Sequence, residues 1–217
     1  MIENDYIEVD TLYDLNDMVR VDCHDCMGCA DCCKGMGDTI VLDPYDCYRL
    51  TLYLGKSFDE LLLKEIELTP KGGLILPNLK MAEDTDSCIF LNEEERCSIH
   101  THRPGICRLF PLGRQYEEGG IKYFLVPGEC KKENRSKMKV KKWLDTPDLK
   151  RNQSFLKAWH DLKKQLVEEA LKEADEQTMK NLSLFVLNHF YRKAYQTEDF
   201  YGEFEERLQQ AKAALGL

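Results

Sequence analysis

Long apolar runs are missing from this chain of 217 residues. No stretch reaches the roughly 18 consecutive apolar residues from which a membrane-spanning helix is built. The opening segment, MIENDYIEVDTLYDLNDMVR, has neither the basic start nor the apolar centre of a secretory signal. The sequence therefore predicts a cytoplasmic protein that makes no contact with a membrane.

Basic residues are also fewer than acidic ones. Lysine and arginine number 30 against 39 aspartates and glutamates, which leaves a net charge of −9. Broad contact with nucleic acid is not expected, because phosphate binding relies on basic surfaces. The local exception is KKENRSKMKVKK at residues 131–142, with seven basic residues and one acid. We interpret this segment as a connector, and contact with an acidic partner is the alternative.

Several catalytic signatures are absent. No spacing of serine, histidine and aspartate indicates a hydrolase triad. The ferredoxin run that ends in Cys-Pro does not occur, nor does the CxxxCxxC spacing of radical S-adenosylmethionine enzymes. The strongest functional signal is instead the high number of cysteines, ten in 217 residues.

Five of the ten cysteines fall within VDCHDCMGCADCCKGMGD, residues 21–38. They form three linked CxxC units and one adjacent cysteine: Cys23, Cys26, Cys29, Cys32 and Cys33. In a reducing cytoplasm, clustered cysteines are more often metal ligands than disulfides. Thiolates bind zinc and iron well because they are soft and anionic. A helix through this segment would place four of the sulfurs on one face, whereas its glycines favour a turn.

The other cysteines recur at wider spacing, at Cys88, Cys97, Cys107 and Cys130. Four early and four late cysteines would fill two tetrahedral sites, or one site beside a cluster. His100 and His102 are alternative ligands, although a hydrogen-bonding or surface role is favoured for both. For Arg103 an anchoring role in the turn is favoured over a role in offsetting thiolate charge. Cys47, within a predicted helix, is expected to pack in the core.

Three motifs occur in order: CMGCADCC, then IVLDPYDCYRL, then CIFLNEEERCSIHTHRPGICRLFP. Together they resemble the CxxCxxCC family, the YkgJ-like cysteine-cluster proteins described as chelating zinc or iron. The resemblance covers roughly residues 23–130 and implies metal or iron–sulfur binding without specifying a reaction. It implies these ligands: Cys26, Cys29, Cys32, Cys33, Cys88, Cys97, Cys107 and Cys130. Cys23 is an additional candidate, because it could replace one of them.

Local signals predict the helices of the first half. Residues 10–20 have apolar side chains near helical spacing and predict a short amphipathic helix. In DPYDCYRLTLYLG, Asp43 suits the N-cap, Pro44 the first helical position and Gly55 the end. The next segment begins with a serine and a glutamate in capping-box spacing, which predicts a second helix.

Short strands are predicted between residues 73 and 130, at GLILP, CIFL, CSIH and YFLVP, with EEGG as a hairpin turn. From Thr146 onward the pattern changes to three amphipathic helices. We therefore predict an α+β protein with an N-terminal arm or short helix (1–21), a metal-organised cysteine-rich domain (22–145) and a helical C-terminal region (146–217).

The expected cofactor is an iron–sulfur cluster, [4Fe–4S] before other types, or zinc. One alternative function is a zinc-only structural module whose C-terminal helices bind a protein partner. A second alternative comes from the resemblance, since some relatives are similar to flagellin lysine methylases that use S-adenosylmethionine.

Overall fold

The computed structural model describes residues 11–22, 29–128, 130, 134–173 and 176–217. These residues form eight strands: β1 (Met18–Asp22), β2 (Ile66–Lys71), β3 (Leu74–Leu79), β4 (Met81–Ala82), β5 (Ser87–Cys88), β6 (Leu112–Glu117), β7 (Gly120–Leu125) and β8 (Ser136–Lys139). They also form seven α-helices: α1 (Pro44–Leu54), α2 (Phe58–Lys64), α3 (Gly105–Leu109), α4 (Val140–Leu144), α5 (Leu149–Glu173), α6 (Glu176–Val186) and α7 (Phe200–Leu215). A π-helical segment, Leu187–Arg192, continues α6. The predicted α+β class is confirmed.

The described strands form four separate antiparallel pairs: β1 with β8, β2 with β3, β4 with β5, and β6 with β7. A single two-stranded ribbon is at best marginally stable in water. Each ribbon must therefore be supported by helices or loops. In the β2–β3 ribbon, for example, the backbone N–H of Ile75 donates to the Ser183 hydroxyl of α6 at 3.0 Å.

The helix starts and stops predicted from local sequence are confirmed. The Asp43 carboxylate accepts a hydrogen bond from the backbone N–H of Asp46 at 2.8 Å, and Gly55 ends α1 with φ of +63°. The Ser57–Glu60 pair forms the expected capping box of α2. These predictions succeed because each cap is completed within a few residues of chain.

The predicted helix over residues 10–20 is wrong within the described residues. Tyr13 makes a β-bridge to Tyr123, and β1 then pairs with β8. Val19 and Val21 are buried whereas Arg20 between them is exposed, which is the two-residue period of a strand. The same pairing shows that the basic segment interpreted as a connector contains strand β8.

The strand predictions were partly correct. GLILP and YFLVP lie in β3 and β7, and EEGG makes the β6–β7 turn. The strand predictions for CIFL and CSIH are wrong for most of the residues, because the chain folds back between the two segments. Both the backbone N–H and the hydroxyl of Ser98 donate to the Phe90 carbonyl, at 2.8 and 3.0 Å.

The three predicted C-terminal helices are present as α5, α6 and α7. The apolar face of α5 is buried within the chain, including Phe155, Trp159, Leu162 and Leu166. The C-terminal helices share one core with the cysteine-rich part, and the Tyr191 hydroxyl donates to the Leu42 carbonyl at 3.0 Å. The domain boundary after residue 145 stays a prediction. No described helix combines the length and apolarity that crossing a bilayer requires.

Truncating the core of α5 should destabilise the whole chain. Leu162 is 0% exposed, so Leu162→Ala should lower the free energy of unfolding by about 2–5 kcal/mol. Urea unfolding followed by circular dichroism measures this change. Leu184→Ala is the matched control, because Leu184 is 55% exposed and its loss should change stability by about 0.5 kcal/mol or less. Equal effects of the two variants would contradict this packing.

Candidate metal centre

Six cysteines line one cavity of about 60 Å³. They come from separate parts of the chain: Cys29, Cys32, Cys33, Cys88, Cys97 and Cys107. Cys32 and Cys33 lie in a 3₁₀ turn, Cys88 ends β5, and Cys107 lies in α3. The fold thus joins the early cysteine cluster to three of the four later cysteines.

The loop that carries the early cysteines is attached to β5. The backbone N–H of Gly35 donates to the Asp86 carbonyl at 2.7 Å, and Lys34 makes a β-bridge to Ser87. Gly35 has φ of +67°, a conformation that glycine adopts without strain. This attachment places the 3₁₀ turn next to Cys88.

The loop that carries Cys97 is shaped by an asparagine. The Asn92 side-chain oxygen accepts hydrogen bonds from the backbone N–H groups of Glu94 and Arg96, at 3.1 and 2.8 Å. A β-bridge between Leu91 and Cys97 closes the loop. Glu95 at its tip forms an ion pair with Lys34, so two cysteine-bearing loops are linked directly.

The helix that carries Cys107 is held by buried charged residues. The Asp46 carboxylate, 3% exposed, accepts a hydrogen bond from the backbone N–H of Gly105 at 2.7 Å. The Arg108 guanidinium donates to the Arg103 carbonyl at 2.6 Å. A Cβ atom at Gly105 would lie 3.3 Å from the Arg114 guanidinium, so glycine permits this close approach. These contacts fix both ends of the segment around Cys107.

Burial contributes to a raised pKa for four of the six thiols in this cavity. The pKa of Cys88 is raised to about 11, first by burial and then by its thiol neighbours. Burial also raises the pKa of Cys97 and of Cys107. A hydrogen bond with Cys33, whose sulfur lies 4.0 Å away, is the main cause of the raised pKa of Cys32. The thiols with a raised pKa are therefore protonated at neutral pH when no metal is bound to them.

Cations face these sulfurs from the cavity wall. Arg103 lines the cavity, and its charge opposes the rise in the pKa of Cys32 and of Cys97. The Arg103 guanidinium lies 2.9 Å from Nε2 of His100, which also lines the cavity. Arg103 was expected mainly to anchor its turn, and the structure adds an electrostatic role beside the sulfurs. His102 instead stacks on Tyr53, with ring centroids 4.0 Å apart.

A family model matched residues 25–147, which is more than half of the chain. The family is described as a "putative zinc- or iron-chelating domain". The chain belongs to the CxxCxxCC family. No curated protein and no solved structure matched it. The family description supports metal binding and leaves the choice between zinc and iron open.

Of the other predicted ligands, only Cys130 lies in the described part of the chain. Cys23 and Cys26 lie outside the described residues. Cys130 is half-buried and is not among the residues that line the cavity. Their roles as ligands stay predictions. Cys47 is 2% exposed within the core, which confirms its predicted packing role.

The donor set fits the metals that the family description names. Thiolates around a tetrahedral zinc, with bonds of about 2.3 Å, have sulfurs about 3.8 Å apart. The 4.0 Å between the sulfurs of Cys32 and Cys33 is close to that spacing. Among the described residues, however, no three histidine, cysteine or acidic side chains already form a complete metal-binding group. Metal binding would therefore draw the remaining sulfurs together and displace their protons.

Of the charged residues behind the cysteines, sequence reasoning singled out Arg108 as a cation beside the sulfurs but missed Asp46 and Arg114. Asp46, Arg108 and Arg114 lie close to Gly105 and position α3. The available signal was the helical spacing of α1, which places Asp46 beside apolar residues that face the interior. An aspartate on that face needs a buried partner, but the sequence does not identify the partner.

Proposed function

We propose that this chain holds an iron–sulfur cluster through the thiolates that surround the cavity. The observation that carries the proposal is that six thiols from separate segments line one cavity, since four cysteine thiolates are enough to hold a [2Fe–2S] or [4Fe–4S] cluster. The cavity that these thiols line has a volume of about 60 Å³.

The surrounding residues suit such a group. Apolar side chains of Met36, Ile40 and Ile99 complete the wall and limit the access of water. Burial and hydrogen bonds to the sulfurs are among the factors that set the reduction potential of a cluster. Arg103 offsets part of the negative charge that bound thiolates carry. An iron–sulfur cluster in this setting would supply one-electron redox chemistry when bound.

The second candidate is a zinc-only module. The spacing of the Cys32 and Cys33 sulfurs favours it, since the two could share one zinc ion. Zinc would then organise the loops between β4 and α3, which have little regular structure of their own. A protein partner at the C-terminal helices would have to use a surface other than the buried face of α5.

Metal and acid-labile sulfide analysis of protein purified without oxygen tests the proposal. Iron and sulfide in similar amounts, with broad visible absorption that bleaches on reduction, are the expected result. Zinc without sulfide or colour would overturn the cluster and support the zinc module. The methyltransferase alternative stays a prediction. The four described sheets are antiparallel pairs, and they do not contain the parallel strand–helix–strand unit that typically binds nucleotide cofactors.

Metal affinity should fall steeply as the pH is lowered. The thiols of Cys88, Cys97 and Cys107 have raised pKa values, so they are protonated at neutral pH and must lose protons to bind. If two or more protons are released, the zinc affinity should fall by at least about 100-fold per pH unit below neutrality. Competition with a chromophoric chelator measures the affinity, and calorimetry in buffers of different ionisation enthalpy counts the protons. An affinity that is independent of pH would contradict this prediction.

A further inference from the structure

A second cavity, of about 220 Å³, lies between α1, the start of α2 and the π-helical segment. None of the six cysteines of the metal centre lines it. Five aromatic residues contribute to its walls: Tyr48, Phe58, Phe190, Tyr191 and Tyr195. For comparison, an engineered apolar cavity of about 150 Å³ is known to bind benzene. The second cavity is therefore large enough for an aromatic ring with a substituent.

The rings of this cavity are held in place by contacts on their outer sides. The Tyr191 hydroxyl donates to the Leu42 carbonyl at 3.0 Å, and the Tyr195 hydroxyl donates to the Phe190 carbonyl at 3.3 Å. The Arg207 guanidinium lies 3.8 Å from the centre of the Tyr195 ring. The hydroxyl groups of Tyr191 and Tyr195 are thus bonded to the backbone, and these contacts fix the positions of both rings. π-Helical turns of this kind are frequent at functional sites.

The charged residues of the cavity are both cations. Lys56 and Arg192 line it, and no aspartate or glutamate does so within the described part of the chain. Arg192 is engaged by Asp59 in a two-point ion pair, at 2.8 and 2.9 Å. Lys56 pairs with one oxygen of Glu65, and an ammonium group has three donors. Lys56 therefore has donors left for an anionic oxygen of a ligand.

We propose that this cavity binds a small aromatic carboxylate. The ring would lie among the aromatic side chains, where stacked and edge-to-face contacts are favourable. The carboxylate would face Lys56, where a charge-assisted hydrogen bond is available. This site is separate from the metal centre, so it does not depend on which metal the cysteines hold.

Titration with 2-naphthoate tests the proposal on the protein as purified. Trp159 is the reporter, because its ring lies 5.1 Å from Phe190 and 5.9 Å from Tyr191, which both line the cavity. A Trp143→Phe background leaves it as the only tryptophan. We expect saturable binding of one molecule per chain. The affinity should exceed that of 2-naphthylmethylamine at least about tenfold, because the Lys56 ammonium can donate hydrogen bonds to a carboxylate but not to a second ammonium group.

Matched variants locate the binding. Thr51 lines the cavity, so Thr51→Phe should fill it and weaken 2-naphthoate binding at least about tenfold. Leu63→Phe adds a ring on α2 where the side chain is 82% exposed, and it should leave binding unchanged. If Thr51→Phe does not fold, Ala194→Phe, at an exposed lining residue, replaces it with the same expectation. Absence of saturable binding, or equal affinity in the filled variant and the control, would overturn the proposal.

Discussion

Replacing Cys88 by serine should abolish most metal binding while leaving the fold in place. Cys88 ends β5, is 7% exposed, and lines the cavity with five other cysteines. A serine hydroxyl is a harder donor that does not ionise near neutral pH, so it does not replace a thiolate. Outer-shell residues of metal sites typically contribute 10–100-fold to affinity, and loss of a ligand should cost about 100-fold or more. Metal content after desalting and competition titration measure the loss.

Cys47→Ser is the matched control for this experiment. Cys47 is as deeply buried as Cys88, at 2% exposed, but it lies outside the metal cavity. Its replacement buries a hydroxyl group and should lower stability by about 1–3 kcal/mol without changing the metal content. If both variants lost metal equally, the loss would reflect destabilisation rather than coordination. If both retained it, Cys88 would not be a ligand.

Asp46→Leu should weaken metal binding although Asp46 is not a predicted ligand. The substitution removes the acceptor of the Gly105 N–H and one of the two carboxylates, those of Asp46 and Asp43, that interact with the Arg108 guanidinium. The unpaired buried donor should lower the free energy of unfolding by about 1–3 kcal/mol. Since α3 then loses its attachment to α1, Cys107 shifts, and the metal affinity should fall about 10–100-fold.

Asp46→Asn separates geometry from charge. Its side-chain oxygen can still accept from the Gly105 N–H, while the negative charge is lost. We expect this variant to retain most of the metal affinity, with chelator competition and far-ultraviolet circular dichroism as the measurements. A folded Asp46→Leu protein with wild-type affinity would show that α3 is positioned without this contact. Equal losses in both variants would assign the effect to charge instead.

A sequence prediction succeeded when the residues that form the feature are close together in the chain. The cap of α1 needs only Asp43 and Asp46, three residues apart, and the turn at EEGG joins strands that are adjacent in the chain. Strand β1 was not predicted, because its partner β8 begins more than a hundred residues later in the chain. Eleven residues of N-terminal sequence with mixed apolar spacing do not reveal that partner, so the helix prediction was wrong.

Composition and spacing alone established the class of site. Clustered CxxC units, wide later cysteines and an α+β pattern were all readable without coordinates, because thiolate chemistry and local caps depend on residue type and short-range order. The family match supports the same metal-binding class. Which cysteines share a cavity was not readable in this way.

Only the tertiary structure decided that Cys88, Cys97 and Cys107 meet Cys32 and Cys33 at one cavity, and that Cys130 does not line it. That outcome depends on contacts between distant segments, such as the hydrogen bond from Gly35 to Asp86 and the one from Gly105 to Asp46. Each of these contacts closes a loop of about fifty residues or more, and its cost in chain entropy is recovered only when the whole core forms. Local sequence does not reveal whether the free energy of core formation exceeds this entropy cost, because both quantities depend on the whole folded chain.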